Sequence, residues 1–187
     1  MNRIVSRLLV PVVAVLAVLG VMAPASAAVS PYCGITWGSL PKDAGQGIQG
    51  PLTDLRAGRH ECFDRLVVDI GGPASTAVGY RVEYVDRVTH DGSGASIPLR
   101  GAADLQVVVL TPGYNNAGRP TYSPANPAEA VDVTGFSTFQ QVAWGGSFEG
   151  QSLIGLGVRA LLPFRVFVLP GSPSNGVRVI VDVAHHW

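Results

Sequence analysis

The chain has 187 residues, with 13 basic and 13 acidic side chains balancing to a formal net charge of zero. That balance argues against a nucleic-acid partner, whose affinity rests on a basic stripe, and with Lys42 as the only lysine it leaves no polybasic patch for a membrane surface. Two cysteines and four histidines offer little material for a metal cluster, and no metal or cofactor is expected.

Residues 1–27 predict a secretory signal peptide. Arg3 and Arg7 supply a positive n-region, Leu8 to Met22 an apolar h-region, and Ala25-Ser26-Ala27 a small-residue cleavage site. An uncleaved anchor is the weaker reading, because the apolar run is short for a bilayer span and Pro11 interrupts it. Lipid attachment at Cys33 is weaker still, since Ser30-Pro31-Tyr32 precede it where small and aliphatic residues are needed. The mature chain is expected to be secreted or held in the cell envelope, with no stable membrane anchor once the signal is removed. Its length suits one domain with a core and is too short for two.

Residues 28–58 are rich in Gly, Pro and single polar residues, and predict an extended arm laid over a domain spanning 59–187. Trp37 and Ile35 are expected to pack on the sheet. Thr53 to Arg56 reads as either a helical turn or a short edge strand. Two cysteines in an exported chain most simply form one disulfide, Cys33 to Cys62, which would tie the arm to the domain. Two buried free thiols are the alternative.

The segment from Cys62 to Ile70 alternates Cys62, Asp64, Leu66, Val68 and Ile70 against Phe63, Arg65, Val67 and Asp69, the period of a pleated strand. Its expected neighbour is the C-terminal run from Val177, which carries the same Val-Asp signature near its end. Between them lie further strand-like runs, starting at Tyr80, Ile97, Leu105, Val131, Phe139, Ser152 and Phe164, separated by glycine and proline turns. No window shows a capped 3.6-residue apolar stripe. About nine short strands predict an all-β fold, an antiparallel β-sandwich with an extended N-terminal arm.

Catalytic signals are sparse. The pairs His60-Glu61, His90-Asp91 and His185-His186 lack a ligand-spaced third partner, and no nucleophile elbow occurs. Glycines Gly155 and Gly157 inside a strand mark a bulge or a close backbone approach. Asp64 alternates inward and needs a partner. Arg165 or Arg59 is expected to supply it, and Arg178 to pair with Asp182 on its own strand. A binding surface is expected on loops, where Tyr114, Trp144, Phe148 and Glu149 offer the aromatic stacking and carboxylate chemistry that holds saccharides. The competing reading is a secreted hydrolase with Asp64 or Glu149 as general acid or base.

Several spaced segments together resemble a known family: CFDRLVVDIGG at Cys62, GYRVEYV at Gly79, DGSG at Asp91 with Ile97-Pro98-Leu99, GSFEG at Gly146, GLGVRALLPFRVFVLP at Gly155 and VRVIVDVAH at Val177. This set, with WGSLPK at Trp37 upstream, is similar to the AMIN-like domain of secreted actinobacterial proteins. The resemblance covers roughly Cys33 to His185. It implies a β-sandwich related to the AMIN module, which in cell-wall amidases directs the enzyme to peptidoglycan or the division site. It therefore implies binding rather than catalysis, with a cell-wall polymer or an envelope protein as partner.

Overall fold

The computed structural model describes residues 31–46, 50–72, 78–171 and 176–187; the expected signal peptide, 1–27, lies outside them. Nine strands follow in chain order: β1 (Lys42–Ala44), β2 (Leu52–Arg59), β3 (Phe63–Ile70), β4 (Tyr80–Val85), β5 (Ala103–Val109), β6 (Phe139–Phe148), β7 (Gln151–Val158), β8 (Phe164–Pro170) and β9 (Val177–Ala184). They build two antiparallel sheets, ordered β1-β4-β5-β7-β6 and β2-β3-β9-β8. The expected all-β sandwich is formed.

The two Val-Asp strands are neighbours, as their patterns suggest. β3 and β9 pair from Phe63 opposite Ala184 to Ile70 opposite Val177. Their inward faces, Leu66, Val68 and Ile70 on one and Val177, Val179, Val181 and Val183 on the other, are almost fully buried. They meet Val82, Leu105, Val107, Val109, Ile154, Leu156 and Val158 of the other sheet in a single core. Burying each such side chain contributes about 1.5–3 kcal/mol, so this interlayer contact, rather than any local propensity, sets the register. A one-residue slip of β3 would turn Arg65 and Asp69 inward.

Two strands differ from expectation, and two take their place. Ile97–Leu99 and Val131–Phe136 form no strand. Both are apolar because they lie on the sandwich. Ile97 packs with Val88, Val108, Ala143 and Leu153 on the outer side of the five-stranded sheet, and Phe136 stacks on Phe139 at 5.9 Å. In their place β1 and β2 come from the segment read as an arm. β2 is an edge strand with a bulge between Leu52 and Asp54.

The glycines of β7 mark the close approach the sequence implied. Leu99 lies over Gly155, and a Cβ on Gly157 would run into the carbonyl oxygen of Arg100. The connection following β4 is thereby seated directly on the sheet. One face of the five-stranded layer is covered by the chain's own residues.

The Cys33–Cys62 disulfide is formed. It holds the segment preceding β1 beside β3, where Trp37 is 3% exposed and lies 5.9 Å from the Phe63 ring. Phe164 at the start of β8 donates its backbone N–H to the Gly38 carbonyl. The N-terminal segment is thus fastened at two points to the four-stranded sheet.

Candidate functional site

Asp64 points into the sandwich and is completely buried. Its Oδ2 accepts the backbone N–H groups of Thr138 (2.5 Å) and Phe139 (3.1 Å), and its Oδ1 lies 3.2 Å from His185 Nε2. Neither Arg165 nor Arg59 reaches it. The carboxylate crosses from β3 to the start of β6, satisfying donors that the bulge between Phe139 and Gln141 leaves outside the ladder. No substrate atom has access to it, so its role in this structure is to join the layers. His186 turns the other way, edge-on to Tyr32 at 5.6 Å, and the terminal histidines do not share a site.

Asp182 is paired across strands, not along its own. Arg65 on β3 and Arg165 on β8 are its direct register partners. Arg65 donates Nε at 2.6 Å and Nη2 at 2.9 Å; Arg165 donates Nε at 2.8 Å, with its Nη2 at 2.7 Å. The expected Arg178–Asp182 pair is not made. Residues four apart on a strand are separated by about 13 Å, whereas directly opposed side chains stand about 5 Å apart. Arg178 instead donates to the Pro170 carbonyl.

The resulting row lies on the outward face of the four-stranded sheet. Phe63 sits one pleat to one side on β3, and Phe167 one pleat to the other on β8. The Phe63 ring centroid lies 5.2 and 5.3 Å from the Arg65 and Arg165 guanidinium carbons, and that of Phe167 lies 5.4 and 5.0 Å from them. Trp37 adds a third ring, 5.4 Å from Arg165. Sequence reasoning missed this cluster. The signal was present in Phe63, Arg65 and Val67 and in Arg165, Phe167 and Leu169, outward positions holding aromatic, aliphatic and arginine side chains where a plain solvent face carries small polar ones.

The four loop candidates gather at the other sheet, around the β6–β7 hairpin. Trp144 is half-buried, edge-on to Tyr122 at 5.2 Å and capped by Gly113, where a Cβ would stand 3.0 Å from its ring. Burial, with the charge of Asp54 adding to it, pushes the Tyr122 hydroxyl up to about 12. The Tyr114 hydroxyl accepts the Gly150 N–H at 3.1 Å, and Ser147 Oγ accepts that of Gly113 at 2.8 Å. These bonds seat the 111–123 loop on the hairpin. Phe148 remains 46% exposed and rests on Gly92, while Gln151 donates to Asp91 at 3.0 Å. Glu149 is exposed at the hairpin tip, with a left-handed φ of 48°.

Beside Tyr114 the loop leaves an open groove of about 430 Å³ lined by Pro51, Pro112, Asn115, Asn116 and Ala117. Asn115 Oδ1 accepts the N–H groups of Ala117 and Arg119 and so holds the loop's own turn. Asn116 stays exposed. The Tyr114 ring and the exposed amides of Asn115 and Asn116 make a groove surface that can stack and hydrogen-bond a sugar chain.

No curated protein and no solved structure matches the chain. The AMIN-like domain matches residues 50–185, from the turn before β2 to the residue after β9. It spans every strand but β1, with the interlayer carboxylate and the hairpin end, leaving the part of the expected resemblance before residue 50 outside the match, and the chain belongs to the AMIN-like domain family.

Proposed function

We infer that the protein is an exported, non-catalytic binding module that recognises a cell-envelope polymer, peptidoglycan in the first instance. AMIN-like domains are generally non-catalytic binding domains, and a disulfide suits an oxidising, extracytoplasmic compartment. The observation that carries the reading is the bond from Gly150 to Tyr114, which joins an open groove with exposed asparagines to the hairpin tip that carries the exposed Phe148 and Glu149. Phe148 supplies a free ring for stacking. Glu149 and Asn116 supply acceptor and donor groups for hydroxyls and acetamido groups.

The direct test is co-sedimentation of the mature protein with insoluble peptidoglycan over a range of ionic strengths. Retention that falls several-fold in Phe148→Ala supports the polymer reading at this rim. A protein that stays in the supernatant at every ionic strength rejects it and leaves an envelope protein as the partner.

A further inference from the structure

The outer side of the five-stranded sheet is covered by the chain's own Val88, Ile97 and Leu99. The outward face of the four-stranded sheet carries Trp37 of the N-terminal segment beside Phe63 and Arg165, while the arginine row itself stays in part exposed. Its centre holds a fully buried carboxylate, Asp182, between two partly exposed arginines, with side-chain exposures of 22% for Arg65 and 31% for Arg165. We propose that this face is an anion-binding site, in which Arg65 and Arg165 together take a carboxylate or phosphodiester group of an extended envelope polymer, flanked by the Phe63 and Phe167 rings.

Three features support it. Each arginine spends Nε and Nη2 on Asp182, so Nη1 of each, with its two N–H donors, is left over from that bond. The row has two guanidiniums for one carboxylate, a net positive charge that an oxyanion complements. Both side chains are already fixed, by Asp182 and by rings 5.0–5.4 Å away, so the rotamer freedom that flexible surface arginines lose on capturing a ligand is lost on folding instead. The half-buried Phe167 ring then offers stacking area beside the captured group, while the Phe63 ring is itself held by stacking on His60 at 4.4 Å. The site lies on the other sheet from the Tyr114 groove and stands independently of it.

The experiment uses the mature chain and three soluble oligomers: glycerol phosphate (phosphodiester), polygalacturonate (carboxylated) and chitin (neutral). Nitrogen-resolved NMR follows the Arg65 and Arg165 Nε–H signals, and calorimetry gives affinities at low and high salt. One or both anionic oligomers should move both signals, with affinity falling as salt rises. Response to the phosphodiester alone, the carboxylate alone or both identifies which oxyanion source the site accepts. Arg165→Gln should weaken binding about tenfold or more, and Arg87→Gln, at an exposed arginine after β4, should leave it unchanged. If Arg165→Gln fails to fold, Arg165→Lys keeps a charge beside Asp182 but loses the fork and must still weaken binding. The proposal is overturned if neither anionic oligomer moves the arginine signals, if chitin moves them equally, or if the folded Arg165 variant binds as tightly as the parent.

Discussion

Asp64 on β3 and Thr138 at the start of β6 are joined by a hydrogen bond of 2.5 Å from the Thr138 backbone N–H to the carboxylate, inside the sandwich and away from water. The same oxygen takes the Phe139 N–H. Asp64→Ala would leave both donors buried without a partner. It is expected to cost about 3 kcal/mol, read as a lower denaturant midpoint at unchanged slope. Asp64→Asn keeps one acceptor oxygen but turns an amide NH2 toward the site, and should cost less. An alanine variant as stable as the parent would show that the link contributes nothing.

How far the sequence disclosed this arrangement depends on which physical term dominated at each place. β3 and β9 were legible because strict alternation and burial agreed along their whole length. β2 was legible only in part, as one of two readings of Thr53 to Arg56, since Asp54, Arg56 and Gly58 give an edge strand the composition of a loop. Ile97 and Phe136 misled in the opposite sense, their burial coming from lying on a sheet rather than in one. Asp182 was correctly read as needing an arginine, but a strand read singly does not show which residues stand opposite it. That same blindness hid the Phe63, Arg65, Arg165 and Phe167 cluster, whose members come together only through β9. Of the residues expected on loops, Trp144 and Phe148 lie within β6, because a hairpin strand reaching past the sheet can carry side chains to its end as a loop does.

Alkaline pH should destabilise the fold through its tyrosines. Burial pushes the Tyr84 hydroxyl up to about 12, against the lowering effect of the Leu162 backbone N–H that its oxygen accepts at 3.1 Å, and Tyr122 stands at about 12 for the same first reason. Both groups ionise near 10 in the unfolded chain. Below that value their contribution is fully present; between about pH 10 and about pH 12 the unfolded state has released protons that the folded state retains, and stability falls. For Tyr84 the slope is at most about 1.4 kcal/mol per pH unit, and for the more exposed Tyr122 it is smaller. Tyr84→Phe should be less stable at neutral pH, having lost both bonds to Leu162, yet lose less on going through that window. Unfolding free energies across the range, with phenolate absorbance in parallel, decide it.

The disulfide closes a sequence separation of 29 residues. Loop-closure entropy puts its loss at about 3 kcal/mol. Cys33→Ser should leave the sandwich folded, held by its core, while residues 31–41 become open to protease. Cys62→Ser should cost as much or slightly more, because Cys62 adjoins β3 and its carbonyl accepts the His185 N–H. Thiol titration of the unreduced, denatured protein should find no free thiol; two per chain would defeat the prediction.

Glu149 separates stability from function at the proposed polymer rim. With φ of 48° at Glu149 and 82° at Gly150, the β6–β7 hairpin turns through two left-handed residues, a geometry in which Asn-Gly is favoured and a long L side chain at the first position is strained. Glu149→Asn should therefore stabilise the protein, by about 0.5–1 kcal/mol on the usual left-handed penalty. The same change removes the carboxylate that the polymer reading assigns to ligand hydroxyls, so retention on peptidoglycan should drop several-fold while the melting temperature rises. The two readouts move in opposite directions only if strain is kept at the tip for the sake of binding. A variant that melts higher and is retained as well as the parent would remove Glu149 from the site, and one that melts lower would show that the left-handed conformation costs Glu149 nothing.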